Sequence, residues 1–513
     1  MPNPADSFYG RTFMQLRVAI PWILLSLTAA CGTRPNPSAS CASDGVCSDH
    51  DFPFCDRDGA ITGVPGSCVA ISCVAGEFGG CQGADELVCN AVGTTYDPVA
   101  CSSGLCVEGS GCAACIAGVK TCTDQNTLQT CDANGSATNM SCSIGCVSDG
   151  EPHCKEIVPS NGVGIYEGML SAPDDVTLSD GLLDLRVSTF TPSGGGSDRI
   201  IQSFDVGAAN GGSPMRVIVA RNFDLSNITI VDGDTTNQMF TLGGGIGRAV
   251  VFLATDTISI TGEVRIISGA VNATGCSGTN GLAISLSSSA FAIAGGGGGG
   301  HATDGADGGT VPDAVLGGAH GTANGGSNLI PLRGGCPGGA VFAPDGTFGG
   351  HGGGAIQLTA HNKISVSAAI VADGTPTSSG AVARSGGGGG GGILLESISV
   401  VLGPSGALST RGGGGLSGDS RATPSSLDGF AQPGGDCAVD AVHCGAGGAG
   451  AAGGVSAKAG KNTEVPSDSK TYAAGGGGGG LGQIRINTPT GTFDKTGSTI
   501  IAGSLSTGIC EAR

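Results

Sequence analysis

The chain is 513 residues long, with 99 glycines, 22 cysteines, one tryptophan and a formal charge of −19 at a pI of about 4.5. That length leaves room for several domains. Acidity on this scale argues against nucleic acid or an anionic membrane surface as partner, since both need Lys/Arg patches, and it favours solubility.

The first element is a targeting segment. Residues 14 to 31 read MQLRVAIPWILLSLTAAC. Arg11 and Arg17 make a positive start, and Val18 to Ala30 form an apolar run of 13 residues. That run is short of the ~20 apolar residues of a membrane span and suits a signal peptide over residues 1–30. Thr28, Ala29 and Ala30 lead into Cys31, an arrangement that resembles a bacterial lipobox. Leu27 stands one place early and Thr28 holds the usual Leu position, so the match is imperfect. The resemblance implies a diacylglyceryl group on Cys31, hence a membrane partner through the lipid, with 31–40 as a linker. Ordinary cleavage near Ala30 is the alternative, and Met14 is a second possible start.

A cysteine-rich segment follows. Cys41, Cys47, Cys55 and Cys68 mark a small unit over 41–72. Two sets of six then repeat: Cys73, Cys81, Cys89, Cys101, Cys106 and Cys112, then Cys115, Cys122, Cys131, Cys142, Cys146 and Cys154. Each member of the second set lies 40 to 42 residues after its counterpart, the mark of duplicated modules, 73–112 and 115–154. Modules of this size bury too little apolar area to stand alone, and bridges worth about 2–4 kcal/mol each offset that. Six cysteines allow 15 pairings, so connectivity stays open. Zinc is the rival, but Cys112 and Cys115 form the only C-x-x-C and straddle the module boundary, while His50 and His153 are isolated. Bridges on this scale point to an extracytoplasmic address.

Beyond residue 160 glycine takes over, with 81 of the 99 and the blocks Gly295–Gly300, Gly386–Gly392, Gly412–Gly415 and Gly475–Gly480. Between them five segments share one shape, starting at Val217, Val251, Ile356, Ile393 and Ile484. Each opens with an apolar-x-apolar pair, most repeat the pair mid-segment, and each ends on glycine. Period-two alternation in β-branched residues reads as strand, and three short strands per segment read as one coil of a stack. The expected fold is mainly β: a right-handed parallel β-helix, or solenoid, over 160–513, with glycine-rich insertions leaving and re-entering at one corner and residues 160 to 212 as a cap or early coil. A β-sandwich is the alternative, but it does not predict a three-strand repeat. For the glycine blocks two readings stand: flexible surface loops, or extended segments packed in order beside the solenoid. Of the five later cysteines, Cys437 and Cys444 are candidates for one small loop and Cys276 and Cys336 for a second bridge, leaving Cys510 over.

Catalytic patterns are sparse. Leu358-Thr359-Ala360-His361 and Gly418-Asp419-Ser420 resemble the histidine and serine motifs of trypsin-like proteases, but only 59 residues separate His361 from Ser420, too few for that fold. Gly460-Lys461 runs into Asn462, so no phosphate loop is completed. Polysaccharide-cleaving β-helix enzymes need converging acids, and Asp224, Asp256 and Glu396 fall at different positions of the repeat. Asp232 and Asp234 are the pair that would help hold calcium, although such pairs are commonly turn residues. His301, His320, His351, His361 and His443 are scattered, and no cofactor motif appears.

Taken together, the lipobox, cysteine modules and glycine-rich half resemble glycine-rich, cysteine-module surface lipoproteins of myxobacteria-like Gram-negative bacteria, a family without assigned activity. The resemblance covers most of the mature chain and rests on composition. It implies an outer-membrane or cell-surface lipoprotein with a structural, adhesive or protein-interaction role, and extracellular matrix, polysaccharide or protein as partner. A carbohydrate-active β-helix enzyme is the alternative.

Overall fold

A computed structural model describes residues 40–41, 46–59, 62–70, 72–169, 174–207, 214–232, 247–267, 277–279, 281–287, 290–341, 349–376, 384–418, 434–437, 443–464, 466, 470–497 and 500–513. The chain packs as two compact units, Met1–Lys120 with Gln129–Asn139, and Thr121–Leu128 with Met140–Arg513. The division runs through the second cysteine module.

Both cysteine modules use one connectivity. The first pairs Cys73–Cys89, Cys81–Cys106 and Cys101–Cys112; the second pairs Cys115–Cys131, Cys122–Cys146 and Cys142–Cys154. Each is first to third, second to fifth, fourth to sixth. Strands Phe78–Gln82, Asp85–Cys89 and Tyr96–Ala100 form an antiparallel sheet, and strands of the same length recur at Lys120–Asp124, Thr127–Cys131 and Ala137–Ser141. Gly93 and Gly135 occupy matching turns with φ of 77° and 76°, where a Cβ would be strained. Their carbonyls accept from Cys73 N and Ala114 N, tying each turn to the start of its module. The preceding unit is closed by Cys41–Cys55 and Cys47–Cys68.

The glycine-rich half is built on one 15-stranded sheet, mainly parallel and β-helix-like. Met215–Val231 is the first layer. Ala249–Ile260 and Val264–Ile267 stack on it in parallel, followed by Ala355–Val366 with Ala369–Val371, then Gly392–Leu402 with Ala407–Ser409. A fifth layer comprises Gln483–Thr488, Asp494–Lys495 and Ile500–Ala502, and Ser504–Ile509 adds a single strand beyond it. Parallel strands need crossovers, and alternation gives each layer an inward apolar row. Like residues stack: Ile218, Phe252, Leu358, Leu395 and Ile486 share one buried column.

The register departs from the segment starts by one residue. Ile356, Ile393 and Ile484 lie opposite one another, but their partners in the first two layers are Val250 and Arg216, not Val251 and Val217. Arg216 hid the inward position. It is buried and held by Asp205 at 3.2 Å, so a charged residue fills an otherwise apolar column. A one-residue slip exchanges the two faces of a strand, and Val217 and Val251 therefore face outward into a second apolar cluster with Leu253, Leu329, Leu332 and Val163.

Strands Val176–Asp184, parallel to Phe223–Val231, and Ser203–Val206, antiparallel to Met215–Ile218, close the other side of the first layer. Leu178, Leu183 and Phe190 bury against it, so the region after residue 160 includes a cap.

The described glycine blocks are buried, which overturns the surface-loop reading. Every residue from Ala294 to Gly300, from Ser385 to Leu395 and from Tyr472 to Gly482 is buried. Hydrogen bonds explain the packing. Along one block Gly295 donates to Gly309, Gly296 to Arg384 and Gly297 to Thr279; Gly298 then returns to Ala306 and Gly299 to Gly387. Carbonyls rotate alike: Gly295 and Gly298 accept from Gly318 and Gly321, Gly296 and Gly299 from Gly477 and Gly480, and Gly297 and Gly300 from Gly339 and Cys336. These bonds span 2.7–3.1 Å. Successive residues thus address different neighbours with a period of three, the signature of extended threefold helices of the polyproline II type. Gly295–Gly300, Gly386–Gly392 and Gly475–Gly480 each exchange hydrogen bonds with six neighbouring segments. A Cβ at Gly295 would strike the Gly475 carbonyl, and one at Gly298 the Gly478 carbonyl, so the spacing admits only glycine.

The excursions after Val371 and Ser409 leave at the last strand of a layer and return at the first strand of the next, Gly392 and Gln483 respectively. Away from the layers a small core of Ala292, Ala294, Val311, Val315, Tyr472 and Ala474 ties the segments together.

Candidate functional site

The layered sheet gathers its polar residues on the outward face of the first strands. Thr359, Glu396 and Asn487 occupy one position on three successive layers. Glu396 is 2 % exposed. Its Oε1 accepts from Ser160 Oγ at 2.5 Å and Asn487 Nδ2 at 3.0 Å. Its Oε2 accepts from Ser160 N at 3.0 Å, Gln357 Nε2 at 3.0 Å and Thr359 Oγ1 at 3.1 Å. Burying a carboxylate is costly unless its oxygens are bonded, and here both are. The helical segment Ser160–Met169 supplies two of the donors. It is fastened further by Asn161, which donates to Gln357 Oε1 and accepts from Leu332 N, each at 3.0 Å. At the segment's other end Glu167 meets His361 Nε2 at 2.7 Å and Arg513 at 3.6 Å. Burial works to lower the His361 pKa, but the hydrogen bond and charge of Glu167 outweigh it and raise the value. This cluster fastens one segment to the sheet; its acid and imidazole have protein partners.

Cys510 lies beside it, free and buried. Burial, then the nearby Glu396 charge, push its thiol up to about 12, so it is no nucleophile at neutral pH.

Other candidates are similarly engaged. Arg411, 1 % exposed, donates from Nε and Nη2 to Asp373 Oδ2 at 3.0 and 2.8 Å, where a layer passes into the glycine bundle. Asp232 accepts from Arg248 Nη1 at 2.9 Å and from Arg248 N at 2.8 Å. A guanidinium on that carboxylate disfavours the calcium role considered for it, and Asp234 lies outside the described residues. Asp224 accepts from Thr261 Oγ1, and Asp256 from Asn362 Nδ2. Glu396 is therefore enclosed while Asp224 and Asp256 serve local bonds on other strand positions, so the three acids do not form a pair suited to glycoside cleavage.

The histidines separate. His301 is wholly buried against Gly325, with Nδ1 3.1 Å from the Gly391 carbonyl, and burial lowers its pKa to about 4. His351 is lowered by burial too, and its backbone N–H donates to Thr375 Oγ1. His320 rests on Asp307 at 2.6 Å. His443 stacks on Tyr472, ring centroids 4.3 Å apart. Among the described residues the two places where metal-type donors converge are Cys41, Cys47 and Cys68, and Glu86, Cys101 and Cys112. Each contains a disulfide, whose sulfurs are poor ligands.

Cys437 pairs with Cys444. Cys336 is disulfide-bonded, while Cys276 lies outside the described residues. Cys31 and Ser420 also lie outside them. Among the described residues no helix is long and apolar enough to cross a membrane.

One polar device went unread in the sequence. Asp304 Oδ1 accepts from Ala323 N, Asp307 Oδ1 from His320 N and Thr310 Oγ1 from Gly317 N, at 2.6, 2.8 and 3.1 Å. The acceptors step by three along the chain, so side chains substitute for backbone carbonyls at the bundle edge. The signal was present as D-x-x-D-x-x-T. No protein family, curated protein or solved structure matches the chain.

Proposed function

We propose that this is a cell-envelope lipoprotein, anchored through Cys31, in which disulfide modules precede a glycine-rich β-solenoid with a structural, adhesive or protein-interaction role. The observation that carries the reading is where the chemically capable groups go. Glu396, His361, His301, Asp373 and Arg411 each have internal partners, and the glycine blocks are committed to a close-packed bundle. Such a body suits display better than turnover. The disulfides support an extracytoplasmic address.

Three measurements test it. Mass spectrometry of the mature N-terminus should find a diacylglyceryl-modified Cys31, and Cys31→Ser should move the protein from the membrane to the soluble fraction; an unmodified N-terminus sinks the anchor. Beads coated with the protein should retain matrix polysaccharide or protein without releasing reducing ends. Catalytic release of sugar would overturn the scaffold reading in favour of a carbohydrate-active enzyme.

A further inference from the structure

The two ends of the layered sheet are finished differently. The first layer is covered by Val176–Asp184 and Ser203–Val206, with Leu178 and Leu183 fully buried. The last strand, Ser504–Ile509, pairs with Gln483–Thr488 on one side; just past it Glu511–Arg513 bonds antiparallel with Glu156–Val158, but among the described residues no strand covers the other side of Ser504–Ile509 itself.

Its side chains continue the inward columns. Val250, Ile356, Ile393 and Ile484 are stacked and 0 % exposed; the next member is Leu505, 41 % exposed. Ile509, opposite Thr488, is 72 % exposed. The interior of the stack thus reaches the surface at this end. Stacked-repeat proteins ordinarily close such an end with a polar layer, and edge strands are ordinarily blunted by charge or proline. Ile500–Ile509 reads IIAGSLSTGI and has neither. Ser504 N and Cys510 N donate to Gly482 and Thr488, which sets the phase: the even-numbered amides face the stack, and those of Leu505, Thr507 and Ile509 face the open edge.

We infer that this end is an interface, and that its occupant is a second copy of the chain, with Ser504–Ile509 of each copy pairing antiparallel about a two-fold axis. Charge selects that occupant. A protein of net charge −19 repels its own copy except through a neutral window, and Ile500–Ile509 is one. Elsewhere in the last layer, Asp494 and Lys495, on the strand paired with Gly392–Leu402, add one exposed acid and one exposed base, which is the balance a self-complementary contact requires. The joined strands would place Leu505 and Ile509 of each copy over the other's open column. Because the opposite end is capped, assembly stops at two.

The test is sedimentation of the full chain, expressed with Cys31→Ser so that no lipid adds mass. The wild-type surface should give a dimer at micromolar concentration. Leu505→Lys/Ile509→Lys should raise the dissociation constant at least roughly 100-fold. Thr507→Pro, which removes only an outward amide, should do the same with unchanged circular dichroism. Ile200→Lys, at an 85 % exposed position near the capped end, should leave the dimer intact. A wild-type chain that stays monomeric, or a dimer that survives both edge variants, overturns the inference.

Discussion

Gly479→Ala puts the packing of the glycine bundle to its severest test. Gly479 donates to the Gly413 carbonyl at 2.8 Å, and Gly413 in turn donates to Gly388 at 2.8 Å. A methyl on Gly479 would strike the carbonyl of Gly388, the acceptor of that second bond. Relieving the clash requires the two segments to part by roughly an ångström, which weakens both bonds at about 1 kcal/mol each and adds about 1–3 kcal/mol of overpacking strain. The total, about 3–5 kcal/mol, corresponds to at least a roughly 100-fold loss of amide protection. Hydrogen exchange read by mass spectrometry over 386–392, 410–416 and 475–482 measures it, because those segments share the displaced contact. Gly194→Ala is the control: a Cβ there meets nothing within 4 Å, so protection should hold. If Gly479→Ala exchanges like the wild-type chain, or if the wild-type blocks are themselves unprotected, the interlocked bundle is wrong.

Three further outcomes follow from the outward face of the sheet. Glu396→Gln turns one acceptor oxygen into a donor facing donors and should cost about 2–3 kcal/mol, read as faster exchange of the amides in Ser160–Met169. The raised His361 pKa means the protonated form is favoured by folding, so its contribution is complete below the ordinary histidine value and is lost as pH rises through the higher folded value. The same amides should therefore lose protection, relative to a pH-matched His361→Gln variant, on going from mildly acidic to alkaline buffer; equal pH profiles would refute the role of that pair. Cys510, with its thiol pushed up to about 12, should resist iodoacetamide at pH 8 in the native protein and react once the chain is denatured without reductant.

The layered sheet was legible because its signal is local. Apolar alternation at Ile356, Ile393 and Ile484 is dictated by the inward row, and these residues do align. The one-residue error at Val217 arose where Arg216 fills an inward position, since an ion pair to Asp205 meets a need that hydropathy cannot report. The duplicated cysteines revealed two modules but not their pairing, which depends on which strands meet. The Glu396 cluster was hidden more deeply. Its donors come from residues 160, 357, 359 and 487, joined only by stacking, although the outward positions turning polar at Gln357/Thr359 and Arg485/Asn487 were a usable sign. The glycine blocks misled for a related reason. Uninterrupted glycine marks a segment enclosed on every side, whereas a tripeptide rhythm appears in an edge segment such as Asp304 to Thr310, where one direction opens to solvent.

The threefold rotation of hydrogen bonds also restricts how this protein can change in length. Inserting or deleting one residue in an excursion turns every later amide by a third of a revolution, so that Gly296 would address the neighbour meant for Gly295. A change of three residues restores the phase and only lengthens the segment. Natural variation in these stretches should therefore come in whole triplets, a reading frame imposed by packing and independent of the one in the gene.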